Sequence, residues 1–412
     1  MEIPAKTKSS FAVSDTSDRL DILYIGTLPP HAGGSAIVGY QLLVGLARAG
    51  HSIRAIAPIT SETLAAGDRF SGCHPEIRIS RYLVPFFNNS PDQPMTRDYQ
   101  SAETSAIAGA FAAAISQRRP DLLIIGRETF AWHLPDLARS RNIPSMLLVQ
   151  GTGLFGMAHS FSSEDRDRLA EQFGKVDLIV AVARHMEGPM RELGLPRATA
   201  IDNPVDLSRF FPAPKDADLM TGLGLRADHF IIAHISNFKG LKRTSDIVES
   251  AREVVRREPR ATYVVVGDGD CRAQMEAECR RFGIFDRFRF VGWLDHEKVA
   301  DYINLADAVV MPSETEGVAL VYLETQACGR LLIASDIPGA REAVTDGETG
   351  LLFRMGDAAD LTRKILLAAD DPALRERIGR TARARVKVHD LEHFVAAYDR
   401  AARAVVQKSR AL

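Results

Sequence analysis

"PSETEGVALVYLETQACG", residues 312 to 329, follows the apolar run "DAVVMPS" (307 to 313) and carries apolar residues at helical spacing. This pattern predicts a buried strand, a turn and a helix, with Ser313 or Thr315 as the cap. We expect Gly317 to Ala319 to form the first helical turn. Free N–H groups at such a helix start bind an anionic group, and the helix macrodipole strengthens that attraction.

Two carboxylates, Glu316 and Glu324, flank the start of this helix. From Gly317 to Glu324 the rise is roughly 10 Å at about 1.5 Å per residue. We therefore expect the two carboxylates to contact opposite ends of a sugar nucleotide whose diphosphate is bound by the amides between them. The alternative interpretation is a dipole-favoured glutamate in the first turn and a solvated glutamate further along the helix.

Short apolar runs alternate with amphipathic stretches on both sides of this segment, which is typical of β-α units around parallel sheets. The runs form two sets: 20 to 26, 52 to 58, 121 to 126, 145 to 151 and 177 to 183, then 230 to 236, 262 to 269, 287 to 293, 307 to 313, 331 to 336 and 349 to 353. The sequence predicts an α/β protein with two Rossmann-like, doubly wound domains facing each other across a cleft. Ligand sites belong at the carboxyl ends of both sheets.

Three prolines between residues 203 and 214 rule out a continuing helix and indicate a linker between the domains. We divide the chain into a disordered leader, two domains and a C-terminal helix expected to pack back on the first domain. These parts are 1–18, 19–210, 211–388 and 389–412. Residues 60 to 110 interrupt the β-α rhythm, and their Pro-rich, aromatic segment "VPFFNNSPDQPMTRDY" is expected to shape the acceptor side.

Composition excludes several classes of protein. The 412 residues carry a net charge of -2, so neither a nucleic-acid partner nor a polybasic membrane anchor is indicated. The four cysteines have no CxxC spacing, which argues against a zinc ribbon and fits a reducing cytosol. No signal peptide or membrane span is evident, so we expect a soluble cytoplasmic protein. Peripheral membrane association and the oligomeric state are left open.

The region from Pro312 to Phe353 resembles the signature region of family 4 retaining glycosyltransferases with the GT-B fold, in which two Rossmann-like domains face each other across a cleft. The resemblance implies that Glu316 contacts hydroxyls of the donor sugar and that Glu324 contacts the nucleotide ribose. It implies a diphosphate bound by backbone amides of Gly317, Val318, Ala319 and Leu320. Val318 and Ala319 replace the usual Phe-Gly, which keeps the backbone role but alters the pocket wall.

A basic loop, "HISNFKGLKRTSD" (234 to 246), joins a predicted strand to a helix that starts near Thr244. Its cations could stabilise charge on a leaving diphosphate, although loops before helices are often basic for no such reason. In the resembling family this loop holds an Arg and a Lys that bind the donor phosphates. Lys242 matches that Lys, but Asn237 stands where the Arg is common. Some members, including those that join N-acetylglucosamine to malate, share a Ser-Asn-Phe followed by Lys-Arg.

We assign Glu316, Lys242 and Arg243 to catalysis. The donor-binding candidates are Lys239, Asn237, Gly317, Val318, Ala319, Leu320, Glu324, Trp293, Gly33 and Gly34. Trp293 is as well explained by packing as by a contact with the nucleotide base. Gly33 and Gly34 precede an amphipathic helix and allow close backbone approach to a ligand, although Gly-Gly is commonly only a turn.

"VVVGDGD" (264 to 270) lacks the third glycine of a dinucleotide fingerprint, because Arg272 occupies its place. We interpret Gly267 and Gly269 as structural. Two strand ends of the first domain depart from the family pattern, with Gly126 and Arg127 in place of a His-rich turn and Gln150 in place of a histidine. Candidates on the acceptor or sugar side are Gln150, Glu128 and His133, each of which has the alternative role of a satisfied hydrogen-bonding residue.

The sequence shows neither a metal-ligand constellation nor a DxD-type triplet, so we expect no cofactor and no metal. The expected partners are a nucleoside diphosphate sugar, UDP- or GDP-linked, and an unidentified small-molecule, saccharide or lipid acceptor. We predict a retaining hexosyltransferase that stabilises the departing diphosphate and an oxocarbenium-like centre. Two alternatives share the fold: a sugar-nucleotide 2-epimerase and a non-catalytic sugar-nucleotide sensor.

Overall fold

A computed structural model describes residues 19–29, 33–65, 77–84, 97–151, 162–196 and 198–411, with only the backbone for 97–104. The predicted leader, residues 1–18, lies outside the described residues. Within them the chain forms one seven-stranded and one six-stranded parallel sheet, each with helices packed against it.

The first sheet is built from the N-terminal half of the chain. Its strands, β1 to β7, are Asp21–Ile25, Ser52–Thr60, Ile77–Val84, Leu122–Ile125, Ser145–Val149, Leu178–Ala181 and Thr199–Ala200. The helices among them, α1 to α6, are Gly34–Arg48, Ser61–Ala65, Arg97–Gln117, Leu134–Arg139, Ser163–Gly174 and Glu187–Glu192. The central strands are buried along their length because helices cover both faces of the sheet.

The second sheet is built from residues after 229. Its strands, β8 to β13, are Phe230–Ile235, Ala261–Val266, Phe288–Gly292, Ala308–Met311, Leu331–Ser335 and Leu351–Phe353. The helices α7 to α15 are Ala217–Gly222, Thr244–Arg257, Arg272–Arg281, Val299–Leu305, Leu320–Ala327, Pro338–Ala343, Ala358–Asp370, Pro372–Arg385 and Leu391–Arg410. Helix α8 buries an apolar stripe of Ile247, Val248, Ala251 and Val254 at helical spacing, while its charged residues other than the buried Asp246 are at least partly exposed.

The order of the strands reverses once in each sheet. The first sheet runs β3-β2-β1-β4-β5-β6-β7 and the second runs β10-β9-β8-β11-β12-β13. In such sheets the loops that leave the two strands at the reversal diverge and open a crevice at their carboxyl ends. The reversals lie between β1 and β4 and between β8 and β11, so the loops after these four strands are where a ligand site is expected.

The structure corrects the prediction that residues 60 to 110 form an irregular loop. Helix α2 and strand β3 lie within that range, and helix α3 begins in it. Strand β3 was missed because its sequence, "IRISRYLV", mixes charged and apolar residues as an edge strand does. The two-residue strand β7 was also missed. Residues 85–96, which include most of the Pro-rich segment, lie outside the described residues.

The C-terminal helix α15 packs on the first sheet's side of the molecule, against α1. Val395 of α15 fills the space beside Gly45, and Phe394 and Tyr398 are buried in the same apolar cluster. Nε2 of the buried His51 lies 2.8 Å from a carboxylate oxygen of Asp399 on α15. Helix α15 therefore packs residues 391–410 against the helix that follows the first strand. Among the described residues, no helix is long and apolar enough to cross a membrane.

The contact between Gly45 and Val395 yields a stability prediction. A Cβ atom at Gly45 would lie 2.2 Å from Cγ2 of Val395, so Gly45→Ala overpacks this interface and should lower the free energy of unfolding by about 1–3 kcal/mol. Gly109 in α3 has no neighbour within 4 Å of such an atom, and Gly109→Ala should raise stability by about 0.5–1 kcal/mol.

Urea unfolding followed by circular dichroism measures both changes. Adding Val395→Ala to Gly45→Ala should recover part of the loss. Equal stability of the Gly45→Ala and Gly109→Ala variants would contradict the packing of α15 on α1.

Candidate functional site

We call the parts of the chain built on the first and second sheets the first and second domains. The loops that follow β8 and β11 form the second domain's part of the candidate functional site. Lys242, on the loop after β8, and Glu316, on the loop after β11, form an ion pair with both side chains largely buried. Because β8 and β11 are hydrogen-bonded neighbours, the pair bridges the crevice at the strand reversal. The structure thus brings together Lys242 and Glu316, two of the three residues assigned to catalysis.

The helix after β11 begins later than predicted. Helix α11 starts at Leu320, and Ala319 precedes it in an extended conformation with φ -65° and ψ 133°. Neither Ser313 nor Thr315 caps it. In the predicted first turn the Val318 carbonyl would accept from the Tyr322 amide, but that amide donates to the Ala319 carbonyl. The Val318 carbonyl accepts a hydrogen bond from Nδ2 of Asn203 at 2.9 Å.

This shift moves the positive end of the helix three residues along the chain. The N–H groups of Leu320 and Val321 now precede the Tyr322 amide, which donates the first intrahelical hydrogen bond to the Ala319 carbonyl, and they are available to an anion. Leu320 to Glu324 is about one helical turn, a rise of about 6 Å rather than the predicted 10 Å. Glu316 and Glu324 still lie on opposite sides of these amides along the chain.

The basic loop packs against the glycine-rich turn that follows β9. Cβ atoms at Gly267 and Gly269 would lie 1.8 Å from the Ser236 carbonyl oxygen and 2.1 Å from the Asn237 carbonyl oxygen. Both glycines have positive φ, at 115° and 152°. The structural role predicted for them is confirmed: only glycine lets the two loops touch. Phe238 is fully buried and anchors the loop in the core.

The other cations of the basic loop differ in their partners. Nε and Nη2 of Arg243 donate to the Asp246 carboxylate at 2.8 and 3.0 Å, so its charge is already paired at the start of α8. Lys239 has no carboxylate partner among the described residues. Burial, followed by the positive charges of Arg127 and Lys242, lowers the pKa of Lys239 to about 8. The Oδ1 atom of Asn237 is buried without a hydrogen-bond donor among the described residues.

Glu324 has a partner that the sequence did not reveal. Nε2 of His296 lies 2.6 Å from Oε1 of Glu324, whose side chain is only 6% exposed. The His296 ring also lies 5.3 Å from that of Phe210 in the linker. His296 stands in a polar turn 28 residues before Glu324, where periodicity carries no signal. Trp293, in the same loop after β10, is 53% exposed, so packing does not account for it.

The first domain contributes the loop before α1. Gly33 has φ 127°, which an L-residue rarely adopts, and Gly34 opens the helix. A Cβ atom at Gly34 would lie 3.5 Å from Cδ1 of Leu320. The two helix starts, one from each domain, therefore approach each other, which places Gly33 and Gly34 beside the amides of α11.

The unusual glycine after β4 has a packing reason. A Cβ atom at Gly126 would lie 2.1 Å from the hydroxyl of Tyr24, which is fully buried at the reversal between β1 and β4. Burial raises the pKa of the Tyr24 phenol well above its usual value, so the group stays neutral. A histidine at position 126 would not fit beside Tyr24.

Glu128 and Gln150 are brought together, whereas His133 is not joined to them. The backbone N–H of Gln150 donates to Oε2 of Glu128 at 3.0 Å. Burial raises the pKa of Glu128, against the opposing effects of Arg127 and the Gln150 amide. The Nε2 group of Gln150 is buried without an acceptor among the described residues. Burial and the charge of Arg168 lower the pKa of His133, which makes no hydrogen bond to Glu128 or Gln150 in the described part of the chain.

The first and second domains contact each other directly at this site. A Cβ atom at Gly317 would lie 3.1 Å from Cε of Met186 and 3.2 Å from Cγ2 of Val182, both of which follow β6 of the first sheet. It would also lie 3.7 Å from the Gln150 carbonyl oxygen. The carboxyl ends of the two sheets thus enclose the cleft. Within the described residues, no three His, Cys, Asp or Glu side chains converge as metal ligands.

Two family models match this chain, one on each side of the linker. "Glycosyltransferase Family 4" matches residues 32–209 and "Glycosyl transferases group 1" matches residues 217–385. The matches cover the second sheet and all strands of the first sheet after β1.

Relatives with assigned names match the chain over different lengths. The N-acetyl-alpha-D-glucosaminyl L-malate synthase of Bacillus anthracis is 26% identical over 362 residues, 87% of this chain and 90% of its own. The alpha-D-kanosaminyltransferase of Streptomyces kanamyceticus is 33% identical over 169 residues, which are 40% of this chain and 43% of that protein. A D-inositol 3-phosphate glycosyltransferase of Kribbella flavida is 33% identical over 45% of this chain and 46% of its own. The chain thus spans less than half the length of the last two relatives.

Solved structures share the architecture across almost the whole chain. Sucrose-phosphate synthase from Thermosynechococcus elongatus superposes with a TM-score of 0.81 at 23% identity, covering 95% of this chain and all of that one. HepE from Anabaena, in complex with UDP-glucose, superposes with a TM-score of 0.74 at 16% identity over 96% of this chain and 100% of its own. At these identities the likeness concerns the fold.

The ion pair at the centre of the site predicts a strong energetic coupling. Lys242→Met leaves the Glu316 carboxylate largely buried without its cation, and Glu316→Gln leaves the Lys242 ammonium in the same state, so each should lower the free energy of unfolding. The double variant should be more stable than the sum of the two losses implies, by about 0.5–3 kcal/mol.

A double-mutant cycle in urea measures this coupling. The exposed pair Glu249–Arg252 on α8 serves as the control and should couple only weakly. Additive losses for Lys242 and Glu316 would show that the pair is not formed in solution.

Proposed function

This chain belongs to the group 1 and family 4 glycosyltransferases and has their GT-B fold, and from that premise we propose that it transfers a glycosyl unit from a nucleoside diphosphate sugar to a small acceptor. We propose further that the anomeric configuration is retained and that the diphosphate is bound by cations and amides without a metal ion.

One observation carries this proposal: Lys242, Glu316 and the first amides of α11 lie together at the strand reversal of the second sheet, facing the first domain. The cation and the amides suit a diphosphate. The Glu316 carboxylate, on the preceding loop, suits hydroxyls of the attached sugar. The ion pair would loosen when the ligand's phosphate competes for Lys242, which frees Glu316 to accept those hydroxyls.

The proposed reaction breaks the bond between the anomeric carbon and the terminal phosphate oxygen, and the electron pair of that bond stays on the oxygen. Lys242 and the α11 amides stabilise this developing charge. The acceptor hydroxyl attacks the anomeric carbon from the face that the phosphate leaves. Its proton passes to the departing phosphate oxygen, so the protein supplies neither a nucleophile nor a general base.

UDP-sugars are the proposed donors. HepE, which has the same fold, was solved with UDP-glucose, and the Bacillus anthracis relative is named for an N-acetylglucosaminyl product. We propose that His296 and Glu324, which contact each other, bind the nucleoside, because Glu324 lies one turn beyond the α11 amides that would bind the diphosphate.

An anionic acceptor is proposed for the first-domain side. Two of the relatives are named for malate and for inositol phosphate, and both of those compounds carry acid groups. In this chain Arg127, which follows β4, forms no ion pair with a carboxylate among the described residues, and its charge acts on Glu128 beside it and on Lys239 across the cleft. An acid group on the acceptor would balance this excess of positive charge.

Glu316→Gln tests the proposal by activity. The variant should lower the rate of UDP release and of product formation by about 10²–10³-fold, the loss expected when one group that contacts the transition state is removed. Glu314→Gln removes an equal charge from an exposed position of the same loop and should retain the wild-type rate. The assay combines UDP-glucose or UDP-N-acetylglucosamine with L-malate or inositol 3-phosphate and detects products by mass spectrometry.

The same assay separates the alternatives. Epimerised donor in the absence of any acceptor would favour the epimerase, and nucleotide binding without turnover of any donor would favour the sensor. Full activity of Glu316→Gln would contradict the proposed site.

The lowered pKa of Lys239 predicts a pH dependence of UDP affinity. Its folded pKa of about 8 lies below the usual 10.5, so the free protein holds the proton below pH 8 and loses it above. Phosphate groups are fully ionised well above their second pKa of about 6, so the charge of the UDP diphosphate does not change in this range. UDP affinity should therefore fall as pH rises from 7.5 to 9.5 by up to about tenfold per pH unit, because binding then requires proton uptake.

Isothermal titration calorimetry across this range measures the effect. Lys239→Arg keeps its charge at every pH used and should remove the decline. A decline that persists in Lys239→Arg would assign the pH dependence to another group.

A further inference from the structure

A carboxylate of the second domain caps a helix of the first. Oε2 of Glu342, on α12, accepts a hydrogen bond from the Arg184 amide at 2.9 Å, and Oε1 accepts one from the His185 amide at 2.6 Å. The Nδ1 atom of His185 lies 2.6 Å from the same Oε1. The side chains of His185 and Glu342 are 17% and 23% exposed, so this contact is largely shielded from water.

The two amides belong to the start of a helical segment that has no cap of its own. Residues Arg184–Met186 form a 3-10 turn after β6 and lead into α6. Ala183, at the N-cap position, is extended and has no side-chain oxygen to accept these N–H groups. The missing acceptor is supplied by Glu342 from the other domain, with the negative charge that a helix start favours.

Helix α12, which carries Glu342, also packs against the backbone of Glu316 and Gly317. A Cβ atom at Gly339, also on α12, would lie 2.0 Å from the Gly317 carbonyl oxygen and 2.5 Å from that of Glu316. Met186, the last residue of the capped turn, is the residue against which Gly317 packs. The capped turn, helix α12 and the Glu316–Gly317 segment therefore form a closed ring of contacts.

We propose that Glu342 is a positioning residue that couples the approach of the two domains to the placement of Glu316. When the domains separate, the Arg184 and His185 amides lose their acceptor and Gly317 loses its packing against Met186. When they close, the cap forms and the Glu316 segment is held between α12 and the capped turn. Glu342 itself contacts neither donor nor acceptor. The catalytic part of this inference rests on the proposed transferase activity.

Substitution of Glu342 should separate catalysis from nucleotide binding. Glu342→Ala removes all three contacts and should lower kcat about 5- to 150-fold, the range typical of coupling between sites. The Kd for UDP should change less than about twofold, because Lys242 and the α11 amides belong to the second domain alone. Glu342→Gln keeps one carbonyl acceptor and should lie between Glu342→Ala and wild type, and His185→Ala should lose less than Glu342→Ala.

Glu348→Gln is the matched control. It removes the same charge six residues later, where Glu348 pairs with Arg385 within the second domain, and should leave kcat and Kd unchanged. Small-angle X-ray scattering of the unliganded proteins gives a readout independent of activity: Glu342→Ala should show a larger radius of gyration than wild type and Glu348→Gln.

The outcomes are distinguishable. An unchanged kcat in Glu342→Ala, a loss of UDP affinity in parallel with kcat, or scattering identical to wild type would each overturn the role of Glu342. Absence of turnover in the wild-type protein would instead count against the proposed function, and the scattering comparison would still test the interdomain cap. If Glu342→Ala does not fold, Glu342→Gln and His185→Ala carry the same comparison.

Discussion

The reversal of strand order between β8 and β11 is the constraint on which the rest of the site depends. Parallel strands cannot be joined by tight hairpins, so the loops leaving these two neighbours must diverge toward opposite faces of the sheet. The divergence opens a crevice at the carboxyl ends of β8 and β11, where the first amides of α11 have no partner within the helix. The Lys242–Glu316 ion pair spans that opening, and an anionic ligand can replace one of its partners.

The first domain completes this edge by direct packing. Gly317 packs against Met186, Gly34 lies beside Leu320, and Asn203 binds the Val318 carbonyl. Each of these contacts joins a residue between Gly317 and Leu320 to the first domain. Their effect is to hold the segment that precedes α11 against the first domain.

Sequence reasoning predicted the architecture well because the local signals were strong. Continuous apolar runs such as those of β4 and β8 are typical of strands buried on both faces, and they were placed to within two residues. The pairing of Lys242 with Glu316 could not be read from spacing, because 74 residues separate them. His296 beside Glu324 was missed for the same reason. The start of α11 was misplaced because tertiary contacts overrode the local capping signal, and Gly126 was explained only when Tyr24 was seen to fill its space.

The central claim is that the cleft binds a nucleotide by its diphosphate between the loops after β8 and β11. A crystal structure of the protein with UDP tests it most directly. We expect phosphate oxygens within hydrogen-bond distance of Lys242 Nζ and of the Leu320 and Val321 amides, with the ribose beside Glu324. Nucleotide density outside the cleft, or in the cleft with its phosphates directed away from these groups, would contradict this mode of diphosphate binding.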